Sequence, residues 1–537
     1  MTRRELLAGA LGAAAPPAGR PNIILILADD LGYSDLGCFG GEIATPNLDR
    51  LARGGIRFTQ FYNTARCCPS RASLLTGLYP HQTGVGNMIG GPPRPDAPAG
   101  YRGQMSRDCV TVPQVLREAG YSTLMAGKWH LGQPGPTERG FEEFYGMVHG
   151  FDSFWDASKY TRLPAGRKGR VYPEGGFYST NAITDHAIDF LGDARRRKQP
   201  HFLYLAYNAP HFPLHAPRDL IDRYAPVYEK GWDAIREARF ARLGELGLID
   251  RRWRFTPRSR IPANRYNPET GWADKDNPPW SGLPDDRRKD LARRMATFAA
   301  MVDSMDQNIG RVLADVEKAG EMDNTLILFF SDNGACAEWD PMGFDTRSGP
   351  LNILHRGADL DKMGQPGTYH SYGSAWANAC ATPWRLYKHY NHEGGITTPF
   401  IGHWPGRIPK GAISHQPSHL IDVLPTFAEV AGANKPAVAE GVSLTSALAG
   451  RRMNRAPLYW EHEGNRAVRD GKWKLVAVGP AGPWELYDME KDRTEMSNLA
   501  AAQPGRVRKM ASQWETWARR TNAIPWIWTP QYQAVRR

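Results

Sequence analysis

Residues 22–30 read Asn-Ile-Ile-Leu-Ile-Leu-Ala-Asp-Asp, an apolar run that ends in two adjacent aspartates. A continuous run of this length is typical of a strand that is covered on both faces, as in a mostly parallel sheet. Helical patterns separate it from similar runs at 123–126, 201–206, 325–330 and, more weakly, 398–402. The sequence therefore predicts an α/β fold, with a large mixed, mostly parallel sheet sandwiched by helices.

The pattern changes towards the C-terminus. Apolar residues recur every three to four positions over 291–320, which predicts one long amphipathic helix. Beyond about residue 450, short strand-like pieces precede a helical pattern at 505–521, which predicts a smaller C-terminal α+β domain, an antiparallel sheet plus a helix. We expect a leader at 1–19, a catalytic domain at 20–450 and the small domain at 451–537.

Residues 225–290 read as an insertion in the catalytic domain, rich in arginine, tryptophan and proline. We expect this insertion to line or cover a functional site. Its aromatic side chains either stack on the ring of a substrate or pack within an irregular lid, and the sequence leaves both open. They are Tyr228, Trp232, Trp253, Tyr266, Trp272 and Trp280.

The composition excludes several classes of protein. The chain has 537 residues and a formal charge of +11, but the charge is spread out and no nucleic-acid-binding module is present. A positive field of this kind favours anionic substrates. Six scattered cysteines, with no Cys-x-x-Cys pair, argue against a disulfide scaffold and a thiolate zinc site. We expect no membrane span, because no segment is long and apolar enough.

The N-terminus reads Met-Thr-Arg-Arg-Glu-Leu-Leu-Ala-Gly-Ala-Leu-Gly-Ala-Ala-Ala. Two arginines before a short apolar run and small residues resemble a twin-arginine export signal. This reading predicts a periplasmic or secreted protein, and a cytoplasmic one if the leader is not a signal.

Chemically active side chains follow several of the predicted strands. Asp29 and Asp30 follow the first, while Asp332 and Asn333 follow the run at 325–330. In open α/β sheets the ligand site lies beyond the carboxyl ends of the strands, so these groups should meet there. Three carboxylates and an amide oxygen favour Ca²⁺ or Mg²⁺ over Zn²⁺, although ligand type does not separate the first two.

Residues 67–77 read Cys-Cys-Pro-Ser-Arg-Ala-Ser-Leu-Leu-Thr-Gly. The spacing of Cys67, Pro69 and Arg71 resembles the signature of the type I, formylglycine-dependent sulfatases of the alkaline phosphatase superfamily. Further blocks resemble that family in the same order, and one segment most resembles bacterial arylsulfatases. The blocks are 29–37, 127–132, 209–213, 331–334, 393–395 and 419–426, and the segment is 373–395.

The resemblance implies a sulfuric ester hydrolase that cleaves aryl, alkyl or carbohydrate sulfate monoesters. A maturation enzyme would convert Cys67 to formylglycine, whose hydrate attacks sulfur. Arg71 and Lys128 would hold the nucleophile, and His130 would assist the later elimination of sulfate. His211 and Lys388 would lie by the leaving-group oxygen, with His211 as the proton donor. The implied calcium ligands are Asp29, Asp30, Asp332 and Asn333.

Two other functions stay open at this stage. Related enzymes with the same cysteine motif and metal ligands hydrolyse phosphonate monoesters or phosphodiesters. A catalytically inactive protein that binds sulfated glycans is the other alternative. The chain also departs from the family pattern at Cys68, which places a second thiol beside the modification site.

Overall fold

The computed structural model describes residues 19–89, 95–261, 271–337, 340–346 and 351–526. Most of the expected leader and Tyr266 of the insertion lie outside the described residues. The strands are β1 (Asn22–Ala28), β2 (Ile56–Tyr62), β3 (Ser122–Gly127), β4 (Glu143–Gly146), β5 (Thr161–Leu163), β6 (His201–Ala206), β7 (Thr325–Ser331), β8 (Thr397–His403), β9 (Ala412–Ser414), β10 (Ser418–His419), β11 (Leu458–His462), β12 (Asn465–Asp470), β13 (Trp473–Ala477) and β14 (Glu485–Asp488).

Helices separate most of these strands. They are α1 (Pro46–Gly54), α2 (Cys67–Thr76), α3 (Val112–Glu118), α4 (Ser179–Arg196), α5 (Arg218–Tyr228), α6 (Gly231–Glu245), α7 (Asp285–Lys318), α8 (Ala358–Lys362), α9 (Ser374–Cys380), α10 (Glu393–Ile396), α11 (Val423–Ala431), α12 (Thr445–Leu448) and α13 (Pro504–Arg520). Among the described residues, no helix is apolar over enough of its length to cross a bilayer.

Ten of the described strands form one mixed sheet, in the order β10-β2-β8-β7-β1-β6-β3-β4-β5, with β9 paired to β2. Strands β7, β1, β6, β3 and β4 run parallel to one another. Strand β8 is antiparallel to both of its neighbours. The predicted mixed, mostly parallel sheet is confirmed, and β1 lies near its centre.

Alternate side chains of β1 enter two separate hydrophobic cores. Ile24 and Ile26 pack with α1, α4, α5 and α7 on one face of the sheet. Ile23 and Leu25 pack with α2, α3 and α11 on the other. Because successive side chains of a strand point to opposite faces, only a run that is apolar throughout can satisfy both cores.

The C-terminal region forms a second, four-stranded antiparallel sheet in the order β11-β12-β13-β14. Helix α13 packs on this sheet through Trp514 and Trp517, and the same core includes Tyr62 and Ile396 of the large sheet region. The predicted antiparallel sheet with one helix is therefore confirmed, and it is joined to the larger part of the protein by apolar contacts.

A buried ion-pair network also joins the two sheets. Glu393, at the start of α10, accepts hydrogen bonds from Lys474 of β13 (2.8 Å) and from Arg493 (2.7 Å). Lys474 also pairs with Glu495 at 2.8 Å. Burial alone would raise the pKa of Glu393, but the neighbouring cations outweigh it and lower that pKa to about 2. The carboxylate therefore remains charged in the interior.

We predict that Glu393→Gln lowers the unfolding free energy at pH 7 by about 3 kcal/mol, because Lys474 and Arg493 lose their buried counter-charge. The native pKa lies below the ordinary value of 4.5, so the carboxylate stabilises the fold above pH 4.5. This stabilisation is lost as the pH falls towards 2. In denaturant titrations, the unfolding free energies of the wild type and of Glu393→Gln should therefore converge in acid.

Glu515→Gln is the matched control, since Glu515 pairs with Arg519 on the exposed face of α13. A surface ion pair contributes little, so this variant should stay close to the wild type. Equal effects of the two substitutions, or a Glu393→Gln difference that does not shrink in acid, would contradict the prediction.

Candidate active site

Two central strands deliver the predicted oxygen ligands to one place. Strands β1 and β7 are parallel and end level, so Asp29 and Asp30 emerge beside Asp332 and Asn333. All four side chains are buried. Asp30 has a left-handed backbone (φ +68°), and its amide donates to Asp332 Oδ1 at 3.4 Å. The chain turns sharply at Asp30, so the carboxylates of both Asp29 and Asp30 lie in one cluster with Asp332 and Asn333.

Arg71 and Lys128 surround these carboxylates. Lys128 follows β3 at the same edge of the sheet, and its Nζ contacts Asp29 Oδ2. Arg71 Nε donates to Asp332 Oδ2 at 2.9 Å, and Arg71 Nη1 donates to the Lys128 carbonyl at 2.6 Å. Burial raises the pKa of Asp29, but Lys128, His211 and Arg71 outweigh it and bring that pKa below its usual value.

Lys388 closes the other side of the cluster. Its Nζ lies 2.7 and 3.0 Å from the two carboxylate oxygens of Asp30. Burial works against the ammonium, but the negative charge of Asp30 raises the pKa of Lys388 well above its usual range. Lys388 is therefore charged at any physiological pH, and it is a permanent hydrogen-bond donor beside the carboxylates.

Cys67 is the first residue of α2, and its side chain is fully buried. Its Sγ lies 3.6 Å from Asp29 Oδ1. Burial raises the pKa of the Cys67 thiol well above its usual value, so an unmodified Cys67 is a poor nucleophile. The Cys68 thiol lies elsewhere, where it accepts from the Ile89 amide at 3.5 Å, and its pKa is raised to about 11 by burial.

Two histidines complete the set. His130 has a buried Nδ1 without a hydrogen-bond partner, and burial together with Lys128 lowers its pKa well below the usual value. His211 Nε2 lies 3.5 Å from Asp30 Oδ2, and its Nδ1 lies 2.6 Å from the Phe212 carbonyl. Because a carbonyl only accepts, Nδ1 carries the proton. Burial and Lys128 lower the pKa of His211 as well.

The cluster fits a divalent cation. Burial and the charge of Asp29 raise the pKa of Asp332 to about 7, so three ionised carboxylates are not fully stabilised by the protein's own cations. Asn333 Oδ1 is buried without a hydrogen-bond partner. Ligand atoms of Asp29, Asp30, Cys67 and His211 lie within 4.8 Å of one another. Cys67 and His211 offer sulfur and nitrogen, whereas Asp29, Asp30, Asp332 and Asn333 offer the hard oxygen donors that suit Ca²⁺ or Mg²⁺.

A cavity of about 340 Å³ opens above the cluster. It is lined by Arg66, Met88, Ile89, His130, His149, Gly150, Phe151, His211, Phe212 and Lys388. Phe151 is 45% exposed, and its ring stacks near His211 with 6.3 Å between ring centroids. The sequence did not single out this apolar wall, because the segments that carry Met88, Ile89 and Phe151 have no recognisable pattern, and only Phe212 lies in a quoted block (209–213).

The insertion at 225–290 was expected to line or cover the site, and its described residues do not line this cavity. Instead, Trp232 and Trp280 are buried and meet Trp376 of α9 edge to face. At least one arginine of the insertion is also used in packing, because the buried Arg239 pairs with Asp35 at 2.6 Å. Of the two readings of the aromatic residues, packing fits Trp232 and Trp280.

Known proteins are similar to this chain over most of its length. A family model described as Sulfatase matches residues 21–433, and one described as N-sulphoglucosamine sulphohydrolase, C-terminal, matches residues 384–516. An uncharacterised sulfatase of Schizosaccharomyces pombe is 33% identical over 94% of this chain and 94% of that protein. An arylsulfatase of Klebsiella aerogenes is 36% identical over 82% of this chain and 94% of that protein.

A solved structure is similar to this chain over nearly the same length. The crystal structure of Ps i-CgsB has a TM-score of 0.66 and 26% identity, and the alignment covers 96% of this chain and 95% of that one. The shared architecture therefore extends over both sheets.

We predict that Gly127→Ala disrupts the site through the backbone. Gly127 has φ +121°, and a Cβ there would lie 1.8 Å from the Ala206 carbonyl oxygen. The same carbonyl accepts from the Lys128 amide at 2.7 Å, so its displacement moves Lys128. The unfolding free energy should fall by at least ~3 kcal/mol in denaturant titrations, together with activity.

Gly505→Ala is the control for this substitution. Gly505 lies in α13, and a Cβ there meets nothing within 4 Å. Helix propensity favours alanine at such a position, so no loss of stability is expected. A Gly127→Ala protein as stable as the Gly505→Ala protein would contradict the strain argument.

Proposed function

The chain belongs to the sulfatase family of sulfuric ester hydrolases, and we propose that residue 67, matured to formylglycine, is its nucleophile beside a bound Ca²⁺. One observation carries this proposal. Cys67 is buried at the start of α2 against Asp29, inside a group of carboxylates and cations that the central strands bring together. As a hydrate, formylglycine would supply a hydroxyl that attacks sulfur and a second one that allows the sulfate to be expelled.

The charge balance of the site suits an anionic ester. The three aspartates are matched by Arg71, Lys128 and Lys388, so the protein groups sum to about zero. Asp29, Asp30, Asp332 and Asn333 would hold Ca²⁺, with Mg²⁺ as the alternative, and the bound ion would polarise the sulfate oxygens as a Lewis acid. The resulting excess of positive charge would attract the single negative charge of a sulfate monoester.

Arg71 and Lys128 are placed to orient the nucleophile. The Arg71 guanidinium is fixed by Asp332 on one side and by the Lys128 carbonyl on another, and it is fully buried. Lys128 Nζ is held by Asp29, which also contacts Cys67. Both cations therefore lie where negative charge develops on the attacking oxygen, and they need little rearrangement to stabilise it.

The two histidines and Lys388 would handle protons. His130 is neutral at physiological pH and its buried Nδ1 has no hydrogen-bond partner, so it can accept the proton that leaves during elimination of sulfate. Lys388 stays charged and can donate a hydrogen bond to the leaving oxygen. His211 would donate the proton, which requires the negative charge of the bound ester to raise its lowered pKa.

The cavity indicates the size of the organic group. A volume of about 340 Å³ lies near the lower end of ligand pockets and holds one ring. Met88, Ile89, Phe151 and Phe212 give one wall an apolar surface. An aryl sulfate, or a single sugar ring at the end of a sulfated glycan, fits this description.

We also propose that residues 1–19 act as a twin-arginine signal and direct the protein to the periplasm or out of the cell. Cys67 is inaccessible in the folded chain. A maturation enzyme would therefore have to act before folding, which is compatible with the later export of a folded protein.

A matched substrate panel tests the proposed reaction. We expect higher kcat/KM for aryl, alkyl or carbohydrate sulfates than for phosphodiesters or phosphonate monoesters that carry the same leaving group. Cys67→Ala should reduce kcat by more than ~10³, because the covalent route is lost. Cys68→Ala is the matched control and should remain active, since the Cys68 thiol accepts from the Ile89 amide, whereas Cys67 is the thiol that contacts Asp29.

Two outcomes would contradict this assignment. A preference for phosphodiesters or phosphonates would favour the alternative hydrolase. Binding of sulfated glycans without turnover by the matured wild type would favour a binding protein.

We predict that Phe151→Ala raises KM for an aryl sulfate about fivefold with little change in kcat, because a ring-stacking contact contributes about 1 kcal/mol. KM for a short alkyl sulfate should hardly change, since that substrate has no ring to stack. Val171→Ala is the control, because Val171 is 94% exposed and does not line the cavity. Equal shifts in KM for both esters would show that Phe151 does not contact the ring.

A further inference from the structure

A second cluster of potential metal ligands lies next to the catalytic pocket. His389 directly follows Lys388 in the chain, whereas His462 ends β11 and Glu463 begins the turn to β12. His389 Nδ1 lies 2.9 Å from Glu463 Oε2, and His462 Nε2 lies 3.7 Å from Glu463 Oε1. Ligand atoms of the three residues all lie within 4.8 Å of one another. The larger domain and the C-terminal hairpin therefore both contribute to this group.

The interior position of His462 needs an explanation. Its side chain is fully buried, and neither ring nitrogen has a hydrogen-bond partner. A buried imidazole without partners loses its hydration and gains nothing in return. Burial lowers the pKa of His462 to about 3, so the ring is neutral and has a lone pair available for a metal.

The surrounding backbone holds the three ligands firmly. Asn465 Nδ2 donates to the His389 carbonyl at 2.8 Å, which ties the hairpin to the segment after Lys388. His389 (φ +82°) and Glu463 (φ +53°) both have left-handed backbones, a costly conformation for residues other than glycine. Two of the three ligand residues therefore have strained backbones, which is consistent with a functional placement of their side chains.

We propose that His389, His462 and Glu463 bind a transition-metal dication, best matched by Zn²⁺, at a site separate from the one formed by Asp29 and Asp30. Two imidazoles and one carboxylate are a common zinc ligand set, with a fourth position left for water. Bonds of about 2.0–2.2 Å in a tetrahedron separate the ligand atoms by roughly 3.3–3.6 Å. His389 Nδ1 lies 2.9 Å from one carboxylate oxygen of Glu463 and His462 Nε2 lies 3.7 Å from the other, both close to that range.

Arg66 connects this cluster to the catalytic pocket. Its guanidinium contacts both ring nitrogens of His389, with Nη1 2.6 Å from Nδ1, and Arg66 also lines the cavity above Cys67. A dication and the guanidinium compete for the same imidazole and repel each other. Metal binding therefore requires Arg66 to withdraw from His389, and its new position changes the charge that an entering ester meets.

Cobalt spectroscopy tests the site directly. The matured enzyme, kept in saturating Ca²⁺ so that the aspartate site is filled, is titrated with Co²⁺ and, separately, with Zn²⁺. We expect one equivalent to bind, with the intense visible absorption of tetrahedral Co²⁺ and a rise in Tm, because the ion links two domains. X-ray absorption of the zinc form should show two imidazole ligands.

Variants locate the binding. His462→Gln and Glu463→Gln should each abolish the cobalt spectrum and the metal-dependent rise in Tm. His403→Gln, in β8 and outside the cluster, should retain both. Arg66→Gln should tighten binding by roughly tenfold, because a competing charge is removed.

Three results would overturn the proposal. In the first, the wild-type protein shows no tetrahedral Co²⁺ absorption. In the second, X-ray absorption of the zinc form shows fewer than two imidazole ligands. In the third, His462→Gln and Glu463→Gln each bind as many metal ions as the wild type. In any of these cases the cluster only positions Arg66. The wild-type spectra decide the question even if one variant fails to fold. The result is also independent of sulfate ester hydrolysis, which the substrate panel measures.

Discussion

The structure depends on placing three carboxylates in the protein interior at the carboxyl ends of β1 and β7. Each of them meets a cation from a different part of the chain. Arg71 comes from α2, Lys128 from the end of β3, and Lys388 from the segment before α10. Ionised groups are expensive to bury, and only pairing of this kind makes the arrangement tolerable. Burial and the charge of Asp29 raise the pKa of Asp332 to about 7, so a further cation beside it would stabilise the ionised carboxylate.

The architecture follows from this requirement. Parallel strands end at a common edge, so neighbouring strands can each add a polar group to one buried place. The apolar side chains of β1 anchor that edge by entering two cores at once. Sharp turns in the backbone then redirect the chain at Asp30 and His130, which both have positive φ. A site of this kind combines a rigid support with local strain, which is a common feature of catalytic centres.

Much of the fold, and most residues of the candidate site, could be predicted from local sequence. The predicted strands β1, β3, β6, β7 and β8 agree with the apolar patterns to within one residue at each end, because burial on both faces is visible in composition. The pattern at 291–320 matches α7, which begins earlier, at Asp285, and β2 was not predicted. The site residues from Asp29 to Lys388 were identified by motif, and they meet in space. The cluster of His389, His462 and Glu463 could not be predicted, because it forms only when a hairpin of the second sheet docks about 70 residues downstream. For the insertion, the sequence left ring stacking and packing both open, and the buried contacts of Trp232 and Trp280 with Trp376 fit packing.

Maturation of residue 67 to the nucleophile can be read directly from the mass of the tryptic peptide 67–71. We expect a loss of roughly 18 Da relative to the cysteine peptide, as thiol becomes aldehyde, with fragmentation placing the change at residue 67 and not at Cys68. The peptide that carries Cys380 should keep its unmodified mass. An intact thiol at Cys67, in protein from a host that matures other sulfatases, would show that residue 67 is not the formylglycine nucleophile.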